Sequence, residues 1–130
     1  MIIYVLIAVG GAIGSVGRHW LSTLVAAKTA DVFPWGTFWV NVSGCLAIGF
    51  FAFAGGPGNR FLGSNESRLF FMTGLCGGFT TFSAFSLQTF ALLRAGDGVR
   101  ATAYVVASVV LCILATWLGQ ILAMSFNHAR

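Results

Sequence analysis

Four long apolar segments take up most of this 130-residue chain and constrain its fold more than any other feature. They cover residues 2–26, 36–54, 69–93 and 101–124. A helix needs about 20 mostly apolar residues to cross the roughly 30 Å hydrocarbon core of a bilayer. Since 58% of the residues are hydrophobic and only 8% are charged, a soluble domain of this size could not bury enough apolar surface. The sequence therefore predicts an all-α integral membrane protein, a single domain over residues 1–130 with four transmembrane helices.

The basic residues in the links between the segments are spread evenly over the two sides of the membrane. Arg60, Arg68 and Arg130 fall on one side, and the opposite side holds Lys28, Arg94 and Arg100. An excess of Lys and Arg on the cytoplasmic side normally sets the orientation of a membrane protein. This balance predicts dual topology and an antiparallel homodimer. The alternative is a single orientation that is fixed by something other than these charges.

The third segment is interrupted by residues that disfavour a helix. Gly74, Gly77 and Gly78 each lower helix propensity by about 1 kcal/mol relative to Ala. Hydroxyl residues follow at once, at Thr80, Thr81 and Ser83. A break exposes backbone polar groups, which a membrane tolerates only where protein or a watery cavity surrounds them. We expect a break near residues 75–80, of the kind that forms ion sites in membrane proteins.

Aromatic rings recur every three residues across this interruption, at Phe79, Phe82 and Phe85. The edge of an aromatic ring carries partial positive charge, so a row of ring edges can face an anion. Such rows are more often ordinary packing, and only the neighbouring break favours the ion hypothesis here.

Polar residues inside the other segments allow either a structural or a functional interpretation. Arg18 is a snorkelling side chain or a positive charge that attracts anions to a vestibule. Thr37 and Asn41 share a face of the second helix, where the Asn amide either joins two helices or contacts a solute.

The fourth segment has one small or polar residue per turn along a single stripe. Its members are Tyr104, Ser108, Cys112 and Thr116. This stripe is a polar track for a solute, or it joins neighbouring helices. The three cysteines of the chain, Cys45, Cys76 and Cys112, all lie inside apolar segments without metal-ligand spacing, and we expect no chemistry from them.

Three motifs together resemble those of the Fluc family of fluoride channels, also called CrcB-like proteins. They are GGAIGSVGRHW in the first segment, PWGTFWVNVSG in the second and GLCGGFTTFSAF in the third. The resemblance extends over essentially the whole chain, and the third motif is the most specific. Ala84 and Cys112 depart from the family pattern, since the family often has a hydroxyl residue at the first position and a polar residue at the second.

The resemblance implies an antiparallel dual-topology homodimer with two fluoride pathways and a structural sodium ion at its centre. The backbone carbonyls that match the sodium ligands of the family are those of Gly77 and Thr80. Arg18 would supply the vestibule charge. The side chains that match the fluoride pathway are Phe82, Phe85, Asn41, Thr37, Thr81, Ser83, Tyr104 and Ser108.

The function that the resemblance implies is passive export of fluoride from the cytoplasm across the cell inner membrane, which relieves fluoride toxicity. The expected partners are fluoride, sodium, a second copy of the chain and the lipid bilayer, with no nucleic acid. A proton-coupled exporter of cationic compounds is an alternative, but it needs a carboxylate inside the membrane, and Asp31, Glu66 and Asp97 lie in the predicted links. A membrane scaffold without transport activity is a second alternative. An enzyme is disfavoured, because no nucleophile–base pair is apparent.

Overall fold

The chain folds into four helical spans that are long and apolar enough to cross a membrane. A computed structural model describes residues 1–55 and 62–129, so Arg60 and Arg130 of the charge count lie outside the described residues. The spans are α1 (Ile2–Thr29), α2 (Trp35–Phe53), a composite third span (Asn65–Arg94) and α6 (Gly98–His128). The prediction of an all-helical membrane protein with four spans is confirmed, although three of the four spans run a few residues beyond the predicted bounds.

The third span is built from four helical pieces. They are α3 (Asn65–Arg68), a π-helix (Leu69–Cys76), α4 (Gly77–Phe79) and α5 (Phe82–Arg94). Between the last two pieces the backbone is extended, with φ −78° and ψ 157° at Thr80 and φ −151° and ψ 115° at Thr81.

The glycines of the third span are helical, so the interruption does not arise where glycine propensity alone would place it. The sequence predicted a break near residues 75–80, and the backbone leaves the helix only at Thr80 and Thr81. These positions are glycines because the helices pack closely there, and close packing does not require the helix to break. A Cβ added to Gly74 would lie 3.1 Å from the Cα of Gly10, and one on Gly78 would lie 2.9 Å from the Cα of Gly11.

Glycines on α1 form the other half of this contact. A Cβ on Gly10 would lie 2.7 Å from the Phe70 carbonyl oxygen, and a Cβ on Gly14 would collide with the Leu75 carbonyl oxygen. In lipid no hydrophobic force drives helices together, so close backbone approach at small residues supplies much of the association energy. This seam places α1 directly beside the segment that leads to Thr80 and Thr81.

A second glycine seam joins α2 to α6, and the two helices run parallel. A Cβ on Gly49 would collide with the Thr116 carbonyl oxygen, and further along both helices the Asn127 amide donates to the Phe53 carbonyl oxygen over 2.9 Å. Later positions on α2 therefore contact later positions on α6, and residues that precede Gly49 and Thr116 lie on the same side of this contact.

Hydrogen bonds and charges mark the two ends of the bundle. At one end the Trp35 indole N–H donates to the Asp31 carboxylate over 3.2 Å, and this bond lowers the pKa of Asp31 below its ordinary value. Arg100 lies near Asp31 and forms an ion pair with Asp97 over 2.9 Å. At the other end the Arg68 guanidinium donates to the Ala52 carbonyl oxygen over 3.4 Å.

The substitution Gly14→Ala tests the seam between α1 and the π-helix. We expect it to destabilise the protein by about 1–3 kcal/mol, because the new methyl group has no room beside the Leu75 backbone. The measurement is the thermal unfolding midpoint in detergent. Gly11→Ala is the matched control, since its methyl group would lie 3.9 Å from the Gly74 carbonyl oxygen, an ordinary contact. Equal midpoints for the two variants would contradict the seam.

Candidate functional site

Asn41 holds the interruption of the third span by a pair of hydrogen bonds to Thr81. Its amide nitrogen donates to the Thr81 carbonyl oxygen over 3.1 Å, and the Thr81 backbone N–H donates to its amide oxygen over 2.8 Å. The Thr81 N–H therefore does not return to the Gly77 carbonyl, as it would in a continuous α-helix. Both the Asn41 side chain and the Thr81 backbone gain the polar partners that they need in a membrane.

The two threonines also close the helix ends on either side of the break. The Thr80 hydroxyl donates to the Cys76 carbonyl oxygen over 2.9 Å, which ends the first half of the span. The Thr81 hydroxyl accepts the Ala84 backbone N–H over 3.2 Å and thereby caps α5, and it lies 3.2 Å from the Ser83 hydroxyl. Gly44 of α2 leaves room for the Thr80 methyl group, because a Cβ there would collide with it. The break is thus a capped structure with few loose backbone groups.

A cavity of about 430 Å³, the vestibule cavity, lies on one side of the break. It is lined by Ser15, Arg18, His19, Ser22, Thr37, Thr81, Ser83, Ala84 and Gln88. The Arg18 guanidinium donates to the Thr80 carbonyl oxygen over 3.4 Å. The Arg18 side chain therefore reaches a backbone carbonyl and lies in the cavity wall.

A larger cavity of about 660 Å³, the outer cavity, adjoins the vestibule cavity near the link between α1 and α2. The two cavities share four wall residues, His19, Ser22, Thr37 and Gln88. Asp31 and Trp35 of the link also line the outer cavity. The shared wall connects the end of the bundle with the break.

A third cavity of about 250 Å³, the Phe cavity, lies on the other side of the break. It is lined by Asn41, Cys45, Thr80, Thr81, Phe82, Phe85, Ser108, Val109 and Cys112. The ring centroids of Phe82 and Phe85 lie 5.4 Å apart with their planes at 44°. Phe82 is 78% exposed in the single chain, so this cavity opens at the surface of the bundle.

Ser108 supplies a hydrogen-bond donor to the Phe cavity. Its hydroxyl is buried and has no hydrogen-bond partner among the described residues. A buried polar group without a partner costs about 1–3 kcal/mol, so a ligand that accepted this hydrogen bond would gain stability at this site. Tyr104, one turn earlier on α6, is fully buried and donates its hydroxyl to the Gln88 amide oxygen over 3.0 Å.

The structure gathers most of the predicted site residues around the break but divides them between two cavities. Thr37, Ser83 and Arg18 line the vestibule cavity, whereas Phe82, Phe85 and Ser108 line the Phe cavity. Asn41 lies at the break and in the wall of the Phe cavity, and Thr81 lines both cavities. Thr80 and Gly77 lie at the break and in α4, respectively.

The stripe on α6 is less uniform than its spacing indicates. Ser108 and Cys112 line the Phe cavity, but Tyr104 is in contact with Gln88 and with the Phe85 ring, whose centroid is 5.1 Å away. The Thr116 hydroxyl donates to the Cys112 carbonyl oxygen of its own helix over 3.0 Å.

Gln88 is the main residue that the sequence analysis missed. It lines the outer cavity and the vestibule cavity, and its amide oxygen binds the Tyr104 hydroxyl. The sequence feature that could have identified Gln88 is its position as a polar residue inside an apolar segment, three residues after Phe85.

Comparisons with known proteins identify the family to which this chain is similar. Residues 5–120 match the family model described as "CrcB-like protein, Camphor Resistance (CrcB)". A relative from Opitutus terrae is 56% identical over 130 residues, which cover 100% of this chain and 98% of that protein. One from Paramagnetospirillum magneticum is 50% identical over 128 residues, covering 98% and 100%. One from Methylocella silvestris is 48% identical over 127 residues, covering 98% and 97%. All three are named "Fluoride-specific ion channel FluC".

The substitution Asn41→Leu tests the clamp on Thr81. It keeps the approximate volume of the side chain but leaves the Thr81 N–H and C=O without partners, at about 1–3 kcal/mol for each group. We expect faster hydrogen–deuterium exchange over residues 79–83. Ser43→Ala is the control, because the Ser43 hydroxyl donates only to carbonyls of its own helix. Unchanged exchange in Asn41→Leu would show that the clamp does not hold the break.

Proposed function

The chain belongs to the CrcB-like protein family, and we propose on this basis that it is a passive channel that conducts fluoride across a membrane. The family assignment confirms the resemblance seen in the sequence. The observation that carries the proposal is the clamped interruption at Thr80 and Thr81, with a cavity on each side. The relatives named as fluoride-specific ion channels are similar over their whole length.

The mechanism follows from the hydration of fluoride. A small anion holds its water strongly, so a pore must replace that water with donors in close succession. Asn41 has a second amide N–H beyond the one bound to Thr81, and the Ser108 hydroxyl has no partner among the described residues. These donors are uncharged, so they bind the ion weakly enough to release it.

The proposed route of fluoride runs through the outer cavity, the vestibule cavity and the Phe cavity, past the break. Fluoride gathers in the outer and vestibule cavities, where Arg18 raises the local anion concentration. It passes Thr81, which lines both inner cavities, and reaches the Phe cavity. There the positive edges of Phe82 and Phe85 and the Ser108 hydroxyl stabilise it.

Passive flow is sufficient for export from the cytoplasm. Hydrogen fluoride crosses membranes as a neutral acid and dissociates in a neutral cytoplasm. An interior-negative potential then drives the anion outwards with about 2.3 kcal/mol per 100 mV. The chain would act in this way in the cell inner membrane and relieve fluoride toxicity.

The functional unit is an antiparallel homodimer with two pathways. Phe82 is 78% exposed although it lines the Phe cavity, so a second copy would supply the missing wall. The balance of charge supports dual topology. One side of the membrane would hold Lys28, Arg94 and Arg100, and the other side would hold Arg60, Arg68 and Arg130. Of these, Arg60 and Arg130 lie outside the described residues.

A structural sodium ion fits the backbone at the break. The Gly77 carbonyl does not receive the Thr81 N–H, because that donor binds Asn41, and the Thr80 carbonyl accepts one long hydrogen bond of 3.4 Å from Arg18 within the described part of the chain. Carbonyls at unwound helices are sodium ligands in membrane proteins. The carbonyls of Gly77 and Thr80 in both copies would hold the ion. When bound, it supplies fixed positive charge and links the two chains.

The alternative functions lack structural support. An exporter of cations needs a carboxylate inside a span, whereas Asp31 lies in a link and Asp97 caps α6. Glu66 was predicted in a link and instead lies in α3, but it is exposed in the first turn of the third span. A scaffold has no use for a buried, unpartnered Ser108 hydroxyl beside a cavity.

The direct test of the proposed function is fluoride efflux from vesicles that contain the purified protein. We expect fluoride to leave under a potential set with potassium and valinomycin, while chloride is retained, because chloride gains less from closely spaced donors. A fluoride electrode and a chloride electrode give the two rates. Equal rates would refute selectivity, and no efflux of either ion would refute the channel.

Variants of α5 relate this efflux to the Phe cavity. Phe82→Ile and Phe85→Ile should lower fluoride flux, because isoleucine has no positive ring edge. Phe90→Ile is the matched control, since Phe90 is an exposed ring on the same helix that does not line the Phe cavity. Full flux in the first two variants would mean that the rings only pack.

Dual topology is tested by adding one positive charge to either end of the bundle. We expect Asn65→Lys and Val99→Lys to shift the population in opposite directions, because each end becomes the more basic one. Both positions are exposed. Reporters fused to the C-terminus, one active in the cytoplasm and one outside it, measure the orientation. A single orientation of the unmodified chain would contradict the charge argument.

A further inference from the structure

Two cysteines from different helices meet in the wall of the Phe cavity. Cys45 of α2 and Cys112 of α6 both line this cavity of about 250 Å³, so the two thiols border the same small space. Both side chains are partly exposed, whereas the third cysteine, Cys76, is buried and does not line the cavity. The sequence analysis expected no chemistry from these residues, because their spacing along the chain gives no sign that two of them meet.

The glycine seam between α2 and α6 explains this contact. Gly49 lies against the Thr116 backbone, and the two helices run parallel. Cys45 and Cys112 are one turn before Gly49 and Thr116, respectively, so both lie on the same side of this contact, where both line the Phe cavity. The close backbone approach at Gly49 brings the two short side chains within reach of each other.

We propose that Cys45 and Cys112 form a two-thiol site for the mercuric ion, and that mercury bound there closes the Phe cavity to anions. Two sulfur–mercury bonds form, and the two thiol protons are released to water. No electron is transferred, because sulfur and mercury keep their oxidation states. The site exchanges two protons for one divalent cation, so its net charge does not change.

The number and type of ligands select this class of cation. Sulfur ligands favour soft metals, and mercuric ion accepts two thiolates in a linear arrangement. Zinc requires about four ligands in a tetrahedral arrangement, and the described residues contain no group of three or more His, Cys, Asp and Glu side chains that could hold a metal. A monovalent soft cation such as silver would leave a net negative charge on two thiolates in an apolar wall, which is costly.

The expected effect on transport follows from the size and contents of the cavity. The Phe cavity has a volume of about 250 Å³ and is lined by Phe82, Phe85 and Ser108 besides the two cysteines. Ser108 is one turn before Cys112 on the same face of α6. A mercury atom between the thiols would therefore occupy the space in front of the Ser108 donor. This consequence rests on the proposed channel function, whereas metal binding does not.

Binding is tested on the purified protein without any transport measurement. Titration with mercuric nitrate should produce the ultraviolet absorption of a two-thiol mercury complex, and one equivalent should leave one of the three thiols reactive. Cys45→Ala and Cys112→Ala should weaken binding by at least about ten-fold in the presence of a competing monothiol, because each loses the second tethered ligand. Cys76→Ala is the matched control and should bind like the unmodified chain. Equal loss in all three variants, or two thiols left reactive, would overturn the site.

Block is tested by fluoride efflux from vesicles with and without mercuric nitrate. For each protein, efflux with mercury and a competing monothiol is divided by its own efflux without mercury. This ratio should fall at one equivalent for the unmodified chain and for Cys76→Ala, and it should fall much less for Cys45→Ala and Cys112→Ala. Zinc nitrate should leave all four proteins unaffected. Full efflux with mercury bound would refute the block. Absence of efflux without mercury would refute the channel function instead, and the binding result would still decide whether the site exists.

Discussion

The need to satisfy backbone polar groups in lipid governs this structure, and the Asn41–Thr81 pair is where the need is met. An unpaired N–H or C=O in hydrocarbon costs several kcal/mol, which is why spans are normally unbroken helices. Here Asn41 gives Thr81 one donor and one acceptor at 3.1 and 2.8 Å, and the backbone can extend without losing its partners. The interruption is therefore a stable feature that depends on one side chain from another helix.

Close helix packing places that side chain. Gly10 and Gly14 hold α1 against the π-helix, and Gly44 makes room for the Thr80 methyl group beside α2. With larger residues at these positions the helices would separate, and Asn41 could not reach the Thr81 backbone. These glycines act through close contact between helices, so the break depends on the packing around it.

Apolar length can be read from the sequence, whereas contacts between helices cannot, and this difference explains what could be predicted. The four spans follow from apolar length, which does not depend on tertiary contacts. The sequence predicted a break near residues 75–80, but glycine propensity alone does not predict that residues 74–79 stay helical or that residues 69–76 form a π-helix. The roles of Gln88 and of the Cys45–Cys112 pair depend on which helices are neighbours and at what height, and residue spacing along one chain carries no such information.

The arrangement of donors also bears on why a channel of this type would need two chains. Within one chain the vestibule cavity is lined mostly by polar residues, whereas the Phe cavity has a highly exposed ring, Phe82, in its wall. Lipid against that ring would leave the Ser108 hydroxyl beside hydrocarbon, where a dehydrated anion has no stable position. A second copy that covers Phe82 removes lipid from this wall. In such a dimer the same uncharged donors would face a cavity that is closed to lipid, beside a break whose backbone is already satisfied within each chain.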